Sequence, residues 1–154
     1  MIEQPNAPRE ERWILATTDV EGFAQASKLH PDSQTFRLLE ELYELIGSIA
    51  EAVGGRVVNF MGDASLIAFP PESPEAAISS LQMLQMQSAP IFQQLGCRMR
   101  IRLHLGTVAC GLLGTMSEKR YAVVGQAVNE LFKMSNSGFE ISPALQELLE
   151  QGNP

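Results

Sequence analysis

Between Cys97 and Leu105 the side chains alternate without a break: Met99, Ile101, Leu103 and Leu105 are apolar, while Arg98, Arg100, Arg102 and His104 stand between them. Successive strand residues point to opposite faces of a sheet. The run therefore reads as a strand with one face against a core. Alternating arginines most often coat the wet side of a sheet, and that is the expectation for the other face. A cradle for a triphosphate is the competing reading of the same four residues.

The remaining periodicities supply elements to go with this strand. Trp13–Thr18 reads as a buried strand followed by a turn at Glu21-Gly22. From Ser33 to Val53 apolar residues recur at Phe36, Leu39, Tyr43, Ile46, Ile49, Ala50 and Val53, the spacing of an amphipathic helix that Gly54-Gly55 ends. Arg56–Met61 and Ser65–Phe69 flank a Gly62-Asp63 turn and form a hairpin. Ser73-Pro74-Glu75 is a helix start, with Pro90 near that helix's end. Beyond the alternating strand lie a segment punctuated by Gly106, Gly111 and Gly114, a loop at Met116–Arg120 and a short strand at Tyr121–Val124. A helix with Val128, Leu131 and Phe132 follows, then a last helix opened by Ser142-Pro143. The order β-α-β-β-α-β is the split βαβ of an α+β, ferredoxin-like domain. Residues 1–12, with Pro5 and Pro8, read as a flexible polar tail, and residues 13–151 as one domain.

Charge and composition narrow the partners. A chain of 154 residues can bury one proper core. Its net charge of −7 argues against nucleic acid or an anionic membrane, since binding phosphate backbones draws on Lys and Arg. It leaves small phosphate ligands open, because bound cations screen the contact. Cys97 and Cys110 lack metal-ligand or redox spacing and read as core fillers. The polar amino terminus does not read as a signal peptide, and no stretch approaches the roughly 18 apolar residues of a membrane span. A cytoplasmic, reducing setting is the expectation.

Asp19 and Asp63 carry the chemistry. Each stands where an apolar run breaks into a small-residue turn, with a helical stretch between them. Neighbouring strand ends would bring the two carboxylates together, and hard oxygen donors suit Mg²⁺ held against a triphosphate. The plainer reading makes Asp19 a helix cap and Asp63 a turn residue.

Four strings, in order, resemble the catalytic domain of class III nucleotidyl cyclases, the adenylyl and guanylyl cyclases. They are Thr18-Asp19-Val20-Glu21-Gly22-Phe23, then Gly55–Asp63, then Leu103–Gly114, then Tyr121–Asn129. The resemblance runs from about residue 13 to residue 141. It implies a palm-type domain working as a head-to-tail homodimer with shared sites. It also implies cyclisation of a nucleoside triphosphate to a 3′,5′-cyclic nucleotide and pyrophosphate. Asp19 and Asp63 match the ligands of two Mg²⁺ or Mn²⁺ ions, and Gly22 and Phe23 lie in the turn whose backbone approaches the phosphates. Asn129 matches the asparagine that positions the ribose. Asn59 and Ala122 occupy the positions that read the base.

Three departures qualify what the resemblance implies. Lys133 stands where the family has an arginine, supplying charge without a bidentate fork. Asn59 can donate and accept toward a base edge, but the Ala122 side chain can do neither, so the base is open, with ATP the default. Family members continue past the last helix into a hairpin bearing a phosphate-binding lysine, whereas this chain reaches Pro154 soon after it, so the domain reads as truncated there, with Lys119 or Arg120 a possible substitute. His104 matches a family histidine and reads as structural. A catalytically silent cyclase-like domain, kept for dimerisation or nucleotide sensing, is the alternative, and a ligand-free interaction domain is the third reading.

Overall fold

The computed structural model describes residues 7–152. Its sheet is built on two long antiparallel strands, β1 (Arg9–Glu21) and β4 (Arg98–Gly114), paired continuously from Arg9 opposite Cys110 to Glu21 opposite Arg98. Between them in the chain come α1 (Phe23–Ser27), α2 (Asp32–Ala52), β2 (Arg56–Met61), β3 (Ala64–Phe69) and α3 (Pro74–Gln93). After β4 come β5 (Lys119–Val124), α4 (Gln126–Lys133), β6 (Phe139–Ile141) and α5 (Pro143–Gln151). The strand order is β2-β3-β1-β4-β5, and β6 runs parallel beside β4 at Ile101–Leu103. The expected α+β arrangement is present: β1, α2, β2, β3, α3 and β4 form the split βαβ, and the later elements extend it.

The alternation in β4 works as the sequence implies on its apolar face. Met99, Ile101, Leu103 and Leu105 join Ile14, Ala16 and Val20 of β1 in a core closed by Leu42, Ile46 and Ala50 of α2, Leu81 and Leu84 of α3, and Leu145 of α5. Fully burying one such side chain is worth about 2 kcal/mol. The α2 stripe is shifted from the expected one, because Leu42 points inward and Phe36, one turn from the helix start, is 68% exposed.

The other face of β4 differs from expectation. Arg102 and His104 are each 8% exposed, so the basic side is not a uniformly wet surface. The reason is α4, which lies over it: Ala127 and Leu131 pack with Leu15, Leu66, Val108 and Cys110 in a second, smaller core. Gly106 permits this approach, since a Cβ there would come within 2.4 Å of the Ala127 Cβ. Phe132, expected on the apolar stripe of α4, is 40% exposed.

Two boundaries also move. Residues 9–12, expected in the flexible tail, belong to β1 and pair with Thr107–Cys110 of β4, and the tail's first six residues lie outside the described residues. Lys119 and Arg120, placed by sequence in a loop, begin β5. Pro90 lies in the last turn of α3, near its end as expected, but the Ser73 hydroxyl makes no capping bond, whereas Ser142 accepts the Leu145 N–H at 3.3 Å. No helix among the described residues is long and apolar enough to cross a membrane.

Candidate functional site

Asp63 is held in place by three neighbours. Gly62 takes a left-handed φ of 60°, a conformation that glycine adopts without a Cβ clash, and turns the chain between β2 and β3. The Tyr43 hydroxyl of α2 donates to the Gly62 carbonyl, and its ring stacks on Phe60 with centroids 3.8 Å apart. The Asp63 carboxylate then accepts the backbone N–H of Val20 at 2.9 Å. Thr18 pairs with Ser65 across β1 and β3, their hydroxyls 2.6 Å apart. The carboxylate of Asp63 therefore meets β1 at the residue next to Asp19.

Asp19 is half-buried and sits directly opposite Arg100 in the β1–β4 register. Its Oδ1 accepts Arg100 Nε at 2.7 Å, and its Oδ2 accepts the Asn136 amide at 2.7 Å. Arg102 Nη2 lies 3.9 Å from Oδ2. Past Asp19 the chain turns through Gly22, whose φ of 85° opens α1, and Phe23 is buried as the first residue of that helix. Asp19, Asp63, Gly22 and Phe23 thus gather at one end of β1. The field of Asp63 reaches the neighbours of this turn: burial first, and the carboxylate second, raise the Tyr43 hydroxyl and the Cys97 thiol above their usual pKa ranges.

The other expected site residues lie on β2, β5 and α4. Asn59 is exposed on β2 beside a register shift. Ala122 is half-buried on β5 opposite Gly111. Asn129 and Lys133 are exposed on α4. Among the described residues no hydrogen bond or ion pair joins any of the four side chains to Asp19 or Asp63.

Two features escape a reading of motifs. Asn136 lies in the polar run Ser135-Asn136-Ser137, which carries no local signal of its contact with Asp19. Arg102 donates to the carbonyls of Phe132 and Met134 at 3.0 and 3.2 Å, tying the end of α4 to β4 next to Asp19. His104 bridges two elements, with Nδ1 2.7 Å from Ser142 Oγ and Nε2 2.7 Å from a Glu130 carboxylate oxygen. The structural role expected of it is what its contacts support. Neither aspartate lines the cavity of about 420 Å³ between α1, α2 and the end of α3, nor the smaller cavities of about 220 and 380 Å³.

The donor set is compatible with a hard cation. Among the described residues no cluster of three or more His, Cys, Asp or Glu side chains could enclose a metal. Mg²⁺ does not need one, because it keeps several waters and takes one or two carboxylates plus substrate phosphates. Asp19 near the end of β1 and Asp63 in the β2–β3 turn, beside the Gly22 turn, match that demand.

Comparison with known proteins places the chain among relatives. The sequence model described as the adenylate and guanylate cyclase catalytic domain matches residues 7–150. Mouse retinal guanylyl cyclase 1 is 27% identical, over 83% of this chain but only 12% of its own length. An uncharacterized protein of Mycobacterium bovis is 28% identical, over 86% of this chain and 24% of its own. The chain therefore spans a small part of these relatives. In fold, the guanylyl cyclase Cya2 superimposes with a TM-score of 0.82 at 21% identity, covering 94% of this chain and 80% of that one. The adenylyl cyclase CyaB from P. aeruginosa gives 0.84 at 18% identity, covering 94% and 83%. By the family match along most of its length and the shared fold, the chain belongs to the adenylate and guanylate cyclase catalytic domain family.

Proposed function

We propose that the chain converts a nucleoside triphosphate, ATP by default, to its 3′,5′-cyclic nucleotide and pyrophosphate. The observation that carries this reading is the Asp63 carboxylate bonded to the Val20 N–H, which sets it one residue from Asp19. Asp19 and Asp63 would hold Mg²⁺ or Mn²⁺, two ions per site. Such ions lower the pKa of a bound hydroxyl and neutralise charge on the phosphates. The ribose 3′-oxygen forms a bond to the α-phosphorus, its proton passes to water, and the bond from the α-phosphorus to the bridging oxygen breaks to release pyrophosphate.

The chain's own residues have separate tasks in this scheme. The backbone N–H groups at Gly22 and Phe23 face the phosphates from the start of α1. Asn129 orients the ribose, and Lys133, one helical turn on, brings positive charge to the α-phosphate. Asn59 and Ala122 flank the base and discriminate weakly, since only Asn59 offers polar groups to its edge and a site with few polar readers rejects few alternatives.

Asn59, Asn129 and Lys133 are exposed and make no bond to the aspartates of their own chain, which fits a head-to-tail homodimer in which each site draws on both copies. Leu113, Met116 and Val124, 62%, 101% and 56% exposed around the β4–β5 hairpin, offer an apolar face for such pairing. The direct test incubates the protein with Mn²⁺ and each of the four common nucleoside triphosphates, and resolves products by mass. A cyclic nucleotide from at least one, lost in Asp19→Ala, is expected. No product from any of them at high protein concentration overturns the reading.

One observation favours a second reading, a catalytically silent domain used for dimerisation or nucleotide sensing: both Asp19 oxygens already have partners in Arg100 and Asn136. Thermal shift separates the two. A nucleotide–Mn²⁺ complex at 100 times its Kd stabilises the fold by about 2.7 kcal/mol, so a sensor shifts without turnover.

A further inference from the structure

The two aspartates are not equivalent. Asp63 is held by one neutral donor, the Val20 N–H at 2.9 Å. Asp19 instead carries a cation: Arg100 Nε lies 2.7 Å from Oδ1, with the two side chains only 27% and 19% exposed. The register of β1 and β4 sets these residues directly opposite each other, so the contact is built into the sheet. Asn136 takes the second oxygen at 2.7 Å, and the Arg102 guanidinium stands 3.9 Å behind it.

We propose that Arg100 is an internal counter-ion that competes with divalent metal for Asp19, so that loading this carboxylate exchanges guanidinium for metal. This rests on the metal-binding reading of Asp19 above. A divalent ion bonds a carboxylate oxygen at about 2.1 Å and keeps its own ordered waters. A guanidinium on the same oxygen then stands a few ångströms from a double positive charge, with little solvent between them, and the two repel. Asp63, which has no such competitor among the described residues, captures the cation first, and Asp19 joins when Arg100 moves off. Arg100 acts through Asp19 and is a positioning residue. Metal affinity is set by the strength of the ion pair that has to be broken.

The test is Mn²⁺ binding to the full chain without nucleotide, followed by calorimetry and by the spin-resonance signal of free Mn²⁺. Arg100→Ala and Arg100→Gln are expected to bind Mn²⁺ about fivefold tighter than the native chain, the scale of losing one competing ion pair. Arg100→Lys, which restores the charge, returns affinity toward native. Adding Asp19→Ala to Arg100→Ala abolishes the gain. Melting provides an independent readout: Arg100→Ala melts below the native chain without Mn²⁺, and the gap closes as Mn²⁺ is added. If native binding depends on Asp19 but Arg100→Ala and Arg100→Gln leave it unchanged or weaker, the counter-ion role is overturned and the metal site stands. If neither the native chain nor Arg100→Gln binds Mn²⁺ through Asp19, the metal-binding reading itself is overturned. Arg100→Gln keeps amide donors and near-native bulk, so the test survives a folding failure of the alanine variant.

Discussion

At the scale of single residues, Asp63 performs two jobs that substitution can separate. As a hydrogen-bond acceptor it satisfies the Val20 N–H. As a negative charge it raises the Tyr43 hydroxyl, second to the effect of burial. Asparagine keeps an acceptor oxygen and loses the charge, whereas alanine loses both. Asp63→Ala is expected to cost about 1 kcal/mol, the value of one ordinary hydrogen bond, and so to lower Tm by about 2–4 °C. Asp63→Asn is expected to melt near the native temperature. In both, removing the anion makes phenolate formation easier, so the Tyr43 pKa falls, which ultraviolet titration of the tyrosines reads directly. Both also lose the stabilisation by Mn²⁺ that the proposed site requires. An asparagine variant that still gains stability from Mn²⁺ as the native chain does removes Asp63 from the metal site. The position of Asp63 in a turn was legible from Gly62-Asp63 between two apolar runs. Its bond to Val20 was not, because a contact between segments so far apart in the chain depends on which strands become neighbours.

At the scale of elements, the same distinction explains what the sequence conveyed about β4. Alternation announces that a strand has two different faces, and the apolar one is settled by the hydrophobic effect alone. What covers the second face is decided elsewhere, by Gly106 and Ala127 letting α4 settle close to the strand. Arg102 and His104 were therefore readable as basic face residues but not as anchors. Likewise Arg9–Arg12 looked like tail because they are polar, yet strand pairing uses backbone groups and needs no apolar side chains. Arg102 gives this scale its prediction. Its guanidinium supplies the bonds to Phe132 and Met134 carbonyls at the end of α4, and hydrogen bonds from a charged donor are worth about 1.5–3 kcal/mol each. Replacing a buried ion by an apolar side chain is sometimes neutral. Here the two carbonyls stay behind without those donors, so Arg102→Met is expected to destabilise by about 2 kcal/mol, or roughly 4–8 °C in Tm. Because α4 carries Asn129 and Lys133, its backbone amides should exchange hydrogen faster and turnover should fall with them. Unchanged protection across α4 refutes the anchoring role.

At the scale of the whole molecule, the proposed sharing of each site between two copies becomes a statement about stoichiometry. Asp19, Asp63, Gly22 and Phe23 gather at one end of β1, while the exposed Asn129 and Lys133 make no polar contact with the aspartates. If a two-fold dimer brings the α4 of one copy over the aspartates of the other, neither copy alone turns over. Activity then rises more steeply than protein concentration near the dimer Kd. Complementation makes the division of labour explicit. Asp19→Ala and Asn129→Ala homodimers each have both sites broken. In a heterodimer of the two, one site collects both mutations and the other collects neither. Random pairing at equal concentrations yields heterodimers as half of all dimers, each with one intact site, so the mixture recovers about a quarter of native activity. A site assembled within a single chain gives no such recovery, because every copy in the mixture still carries its own defect. Recovery near a quarter, with dimers verified by sedimentation, requires that the sites be shared. Activity no higher than that of the separate variants places the whole site in one copy and leaves the dimer without a catalytic part.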